Sequence, residues 1–155
     1  MFMSHGSDLP PTGDAAMIHA PTKTSAITPS MLYHDAPAAI DWLCRAFGFE
    51  RHLVVQDGDT VRHAQLSFDG GMIMLGSAEW TGGPELMVSP RELGGVGTQA
   101  VCVRIDDADL HHARAVAEGA EVVLPLYDAD YGGRGYSCRD PEGHVWHFGT
   151  YDPWA

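Results

Sequence analysis

From Ile27 onward, the apolar positions switch repeatedly between a period of two and a period near 3.6, and the order of those switches predicts the elements. Ile27 to His34 reads as a strand. Asp35 is placed to cap a helix, with Pro37 just inside it. Within Ala38–Phe47, residues Ala39, Trp42, Leu43, Ala46 and Phe47 share one helical face, and Gly48 follows as the terminating glycine. Strands are then expected at Arg51–Gln56, Val61–Phe68 and Met72–Ser77. Asp57-Gly58-Asp59 and Asp69-Gly70-Gly71 supply the turns between them.

Residues 78–97 break the pattern with two Gly-Gly pairs and two prolines, and read as a long connection: either a binding loop or a plain linker. The order then restarts. Gln99–Ile105 is an expected strand, and Asp106 or Asp107 caps a helix running to Glu118. Leu110, Ala113, Val116 and Ala117 are its expected apolar face, and Gly119 ends it. Glu121–Leu124 reads as a strand interrupted at Pro125. After a loop come Tyr136–Arg139, a turn at Asp140-Pro141-Glu142-Gly143, and a closing strand His144–Tyr151. The helix-ending glycines Gly48 and Gly119 stand 71 residues apart, and so do the turn aspartates Asp69 and Asp140. Matching punctuation and matching element order point to an internal duplication. The predicted organisation is an arm over 1–26, either flexible or packing on a partner subunit, and one domain over 27–151. That domain divides into module one (27–77), the connection (78–97) and module two (98–151).

Composition adds exclusions. The net charge is −12 with histidines neutral, and no basic stripe accompanies it, so nucleic acid is not an expected partner. The start, MFMSHGSDLPPTGDAAM, has neither a basic segment nor an apolar core of a signal peptide, and no span of membrane length follows. A cytoplasmic protein is the expectation. Cys44, Cys102 and Cys138 are odd in number and widely spaced, which reads as three buried, reduced thiols. There is no GxSxG, HExxH, P-loop or GxGxxG.

Three segments together carry a family likeness: AAIDWLCRAFGFE (38–50), VRIDDADLHHARAVAEGAEVV (103–123) and YGGRGYSCRDPEGHVWHFGTY (131–151). The last, with its Tyr-Gly-x-Arg loop followed by Asp-Pro-x-Gly-His, is the most specific. The chain resembles the vicinal oxygen chelate superfamily, which includes glyoxalases, extradiol dioxygenases, fosfomycin-resistance proteins and bleomycin-binding proteins. The resemblance implies an α+β fold of two βαβββ modules forming a curled mixed sheet around a cavity, and a homodimer. In the family's enzymes it also implies a divalent metal held by two positions in each module.

The family's last ligand position, four residues after the glycine of the Asp-Pro-x-Gly turn, falls on His147. Its partner on the first strand of module two maps to Gln99. Carried back by the 71-residue repeat, these give Thr28 and Gly76. Only histidine in this set is a strong transition-metal ligand. The expectation is therefore no metal. If one binds, Gln99 and His147 hold it, and zinc, nickel, iron or manganese would suit the alternative of a metal-dependent lyase, isomerase or dioxygenase.

Aromatic residues offer another use of the cavity. Period-two alternation puts His147 on one face of the last strand, with Trp146 on the other as core. Trp42 also reads as core. A pocket bounded by Trp80, Tyr131 and Tyr136, with Thr28, Gln99, Arg134 and His147 as polar contacts, suits an aromatic or amphiphilic small molecule. The expected function is a metal-free binding protein of the bleomycin-resistance type, its partners a small molecule and a second copy of the chain.

Overall fold

The computed structural model describes residues 24–79 and 86–155, so Trp80 and most of the arm lie outside the described residues. The βαβββ order appears twice. Module one contains β1 (Ser30–Tyr33), α1 (Ala36–Phe47), β2 (Glu50–Asp57), β3 (Thr60–Phe68) and β4 (Gly71–Ser77). Module two contains β5 (Val101–Arg104), α2 (Ala108–Ala117), β6 (Glu121–Asp128), β7 (Arg134–Arg139) and β8 (Val145–Gly149). Each module forms its own four-stranded mixed sheet, ordered β1-β4-β3-β2 and β5-β8-β7-β6, with the first strand parallel to the last and the other pairs antiparallel.

Both helices start as the sequence dictates. The Asp35 carboxylate accepts from the Ala38 N–H and the Asp107 carboxylate from the Leu110 N–H, each satisfying a first-turn donor with no helical partner. Gly48 closes α1 at φ +86°, a left-handed conformation that costs glycine nothing, and its N–H reaches Cys44 O. α1 buries Ala36, Ala39, Ile40, Trp42, Leu43, Ala46 and Phe47, the face its periodicity predicts.

α2 departs from its expected face. Leu110 is 69% exposed and Val116 is exposed too, while Ala108, His111 and Ala115 turn inward. His111 does the work of an aromatic core residue. Its ring lies 4.3 Å from that of Phe148, Nε2–H donates to Phe47 O (3.0 Å) and Nδ1 accepts from the Tyr136 hydroxyl (2.7 Å). A histidine does not register in an apolar pattern, so the pattern selects the neighbouring stripe. β6 also differs from expectation. It continues past Pro125 to Asp128, because its ladder with β7 breaks between Leu124 and Tyr127, where proline owes no hydrogen bond.

The modules are joined helix to helix and turn to strand. The Trp42 indole N–H donates to Glu118 O (2.7 Å), and the Arg114 guanidinium donates to Cys44 O and Arg45 O at the C-terminal end of α1, where a cation opposes the helix dipole. The turn before β8 forms the second clamp. Asp140 is buried, and its carboxylate accepts from the Tyr33 hydroxyl (2.6 Å), the Trp146 indole (3.1 Å) and the Glu142 and His144 amides. The Glu142 carboxylate takes the amides of His34 (2.6 Å) and Asp35 (2.9 Å), and His144 Nε2–H donates to Leu32 O. The Asp-Pro-Glu-Gly-His motif therefore ties module two to the end of β1. It is structural, and its polar groups are already committed.

Candidate functional site

Alternation along β7 and β8 splits the second sheet into two faces. Tyr136, Cys138, Trp146 and Phe148 lie under α2, and all are buried. Gly135, Ser137, His147 and Gly149 take the other face, which α2 leaves open. Strand registers extend these positions into rows. One row runs Leu124, Ser137, His147, Cys102 across β6, β7, β8 and β5, and the next runs Tyr127, Gly135, Gly149, Arg104.

The first row holds the polar chemistry. Ser137 Oγ and His147 Nδ1 are 2.6 Å apart. Ser137 is only 3% exposed, whereas His147 is exposed. Cys102 lies on the far flank of His147 and is exposed, unlike the buried thiol expected there. Cys138 is buried, and burial pushes its thiol up to about 12.

The second row holds a bare strip. A Cβ on Gly135 would stand 2.5 Å from Phe148 O, so close strand approach demands glycine there. A Cβ on Gly149 would meet nothing nearer than 3.7 Å, so no steric requirement explains that glycine. Tyr127 walls the strip at its β6 end. Its hydroxyl lies 3.5 Å from that of Tyr131, whose ring meets Tyr151 edge-on at 5.1 Å. Tyr127, beside Gly135 in register, thus leads into a group of three exposed tyrosines.

The expected site residues fall in different places. Tyr131 is 63% exposed within the tyrosine group, and His147 stands on the open face. Tyr136 does not face the strip. It is 1% exposed under α2 with its hydroxyl on His111, and burial raises its pKa well above the tyrosine value. Arg134 shares that helix-side face and is held by Asp109 (3.0 Å) and Asp128 (3.2 Å), so its charge is already matched. Thr28 and Gln99 lie just ahead of β1 and β5 and make no hydrogen bond to His147, whose partner is Ser137. Ser137, Tyr127 and Gly149 are the residues the sequence reading missed. The small-or-polar alternation Gly135, Ser137, Arg139 was the signal for them.

Register also corrects the repeat. The helix caps Asp35 and Asp107 set an offset of 72 between β1 and β5. Met31 pairs with Leu75, 44 residues on, but Val103 pairs with Phe148, 45 residues on, so β4 and β8 are offset by 73. His147 therefore corresponds to Met74 in place of Gly76, and Gln99 to Ile27 in place of Thr28. The set Ile27, Met74, Gln99 and His147 contains one imidazole and no carboxylate, which does not fit a divalent transition metal. Among the described residues, no three His, Cys, Asp or Glu side chains gather as ligands. No helix there is long and apolar enough to cross a membrane.

This architecture is that of a known group. Residues 10–148 match the model of the Glyoxalase/Bleomycin resistance protein/Dioxygenase superfamily, and the chain belongs to that superfamily. It is similar to the crystal structure of TioX from Micromonospora sp. ML1, at 37% identity and a TM-score of 0.63, covering 81% of this chain and 97% of that one. It is 32% identical over 127 residues to the uncharacterized protein Rv0887c of Mycobacterium tuberculosis H37Rv, covering 80% of this chain and 73% of that protein. The fosfomycin resistance protein FosX from Listeria monocytogenes shares the fold at 15% identity and a TM-score of 0.60, covering 84% of this chain and 96% of that one.

Proposed function

We propose that this chain is a small-molecule binding protein that holds an aromatic or amphiphilic compound, without a metal, on the open face of its second sheet. The observation that carries the reading is the Gly135–Gly149 strip, bare of side chains and bordered by Tyr127 on one side and the Ser137–His147 pair on another. Flat ring systems lie well against side-chain-free backbone and tyrosine edges, and one anchored imidazole supplies orientation.

The metal-free part rests on donor chemistry: Ile27, Met74, Gln99 and His147 offer a divalent ion a single strong ligand. A second copy of the chain is the proposed cover. Leu53 and Val55 on β2, and Val123 and Leu124 on β6, are exposed apolar residues on edge strands, which soluble proteins seldom leave uncovered.

Calorimetry of the purified protein against planar aromatic amphiphiles, beginning with anilinonaphthalenesulfonate, tests the reading alongside elemental analysis. Saturable 1:1 binding without stoichiometric metal is expected. Stoichiometric zinc, nickel, iron or manganese, or binding that appears only after metal is added, would contradict it and favour a metal-dependent enzyme.

A further inference from the structure

Cys102, His147 and Ser137 stand side by side on three neighbouring strands. Ser137 is buried, and its Oγ lies 2.6 Å from His147 Nδ1. β8 lies between β7 and β5, so Cys102 flanks the imidazole on the side away from Ser137. Register neighbours on adjacent strands are about 5 Å apart at the backbone, with side chains on the same face. His147 Nε2 has no hydrogen-bond partner among the described residues. The arrangement has the parts of an activated nucleophile: a thiol, a base beside it, and a third group that orients the base.

We propose that Cys102 is a nucleophile that captures soft carbon electrophiles, specifically α,β-unsaturated carbonyl compounds, with His147 as its base and Ser137 as the residue that positions His147. Nδ1–H donates to Ser137 Oγ, so Nε2 keeps its lone pair and takes the thiol proton. The sulfur forms a bond to the β-carbon. The π pair of the C=C bond moves onto the carbonyl oxygen as an enolate, and the proton held on Nε2 passes to the α-carbon. His147 ends neutral, the product is a thioether, and no oxidant or reductant enters.

The other thiols do not compete. Burial raises the pKa of both Cys44 and Cys138. Cys102 is the exposed one of the three, and the glycines Gly135 and Gly149 lie in the next row. The proposal rests on the same open face as the binding reading, but it concerns a bond rather than an affinity.

The test is the rate of N-ethylmaleimide addition to the full chain from pH 5.5 to 8, followed by intact mass with peptide mapping and compared with glutathione. An unassisted thiol slows about tenfold per pH unit below its pKa near 8.5. Expected is a single adduct on Cys102, with a rate at pH 6 about a hundredfold above the glutathione line, the size of a modest general-base contribution. His147→Gln should drop the rate onto that line, Ser137→Ala should lower it partway, and Ser137→Thr should restore it. A wild-type profile parallel to glutathione at all pH values, or a His147→Gln rate equal to wild type, would overturn the proposal. Cys102→Ser separates the two readings. Unchanged anilinonaphthalenesulfonate binding by that variant, with no adduct, supports both. Loss of dye binding by wild type while the accelerated adduct persists would overturn the binding reading and leave Cys102 as the nucleophile.

Discussion

Ser137 Oγ and His147 Nδ1 meet at 2.6 Å across the β7–β8 ladder, and this contact turns an exposed imidazole into a fixed one. Because β7 holds one ring nitrogen, the other is presented in a set orientation above the open face. Ser137→Ala should leave the fold intact and release the ring. Loss of about 1 kcal/mol, or roughly fivefold in affinity for anilinonaphthalenesulfonate, is expected by calorimetry, the worth of an ordinary hydrogen bond.

The two glycines of the strip should behave differently. Gly149→Ala adds a Cβ in ordinary contact, so thermal stability should barely change while ligand binding weakens. Gly135→Ala forces a Cβ to 2.5 Å from Phe148 O and should cost about 2 kcal/mol or more in denaturant unfolding, as overpacking does. Equal stability losses in both variants would show that the strip is there for packing alone.

Asp140 should be the most sensitive position outside the hydrophobic core. Asp140→Ala leaves the Tyr33 hydroxyl, the Trp146 indole and the Glu142 and His144 amides without their acceptor. Loss of about 3 kcal/mol is expected in urea unfolding, since each buried unsatisfied donor costs about 1 kcal/mol or more. Burial raises the Asp140 pKa, so stability from this carboxyl is greatest at acid pH and is lost as pH rises through its folded-state value. That pH-dependent component should vanish in Asp140→Asn.

His111 gives the opposite slope. Burial lowers its pKa in the folded protein, so the unfolded chain binds its proton first. Stability from this site is complete above the unfolded value near 6.5 and falls as pH drops toward the folded one, by at most about 1.4 kcal/mol per pH unit. Urea midpoints measured from pH 8 to 5 in wild type and His111→Gln check this, and the variant should lose that part of the slope.

The fold was largely legible in the sequence because glycine, proline and aspartate mark its boundaries and because strand and helix periods differ. α1 and strands β2 to β4 lie within a residue or two of their expected limits. What failed in the repeat failed by one or two residues. A single offset of 71 carried His147 onto Gly76, whereas the ladders place Met74 there. On the first strand the same offset named Thr28 where the caps give Ile27, and a one-residue slip on a strand exchanges faces. The same rule explains Tyr136 and Arg134, which sit one position off the Gly135–Ser137 face and point under α2. Trp80 lies outside the described residues. The Ser137–His147 contact was hidden because it joins two strands whose register no local pattern reveals.

The most direct test of the binding site is amide chemical-shift mapping of the isotope-labelled full chain during titration with anilinonaphthalenesulfonate. The account predicts saturable shifts centred on Tyr127, Gly135, Ser137, His147 and Gly149. Shifts confined to α2 around Leu110 and Val116 or to the Asp140–His144 turn would contradict it.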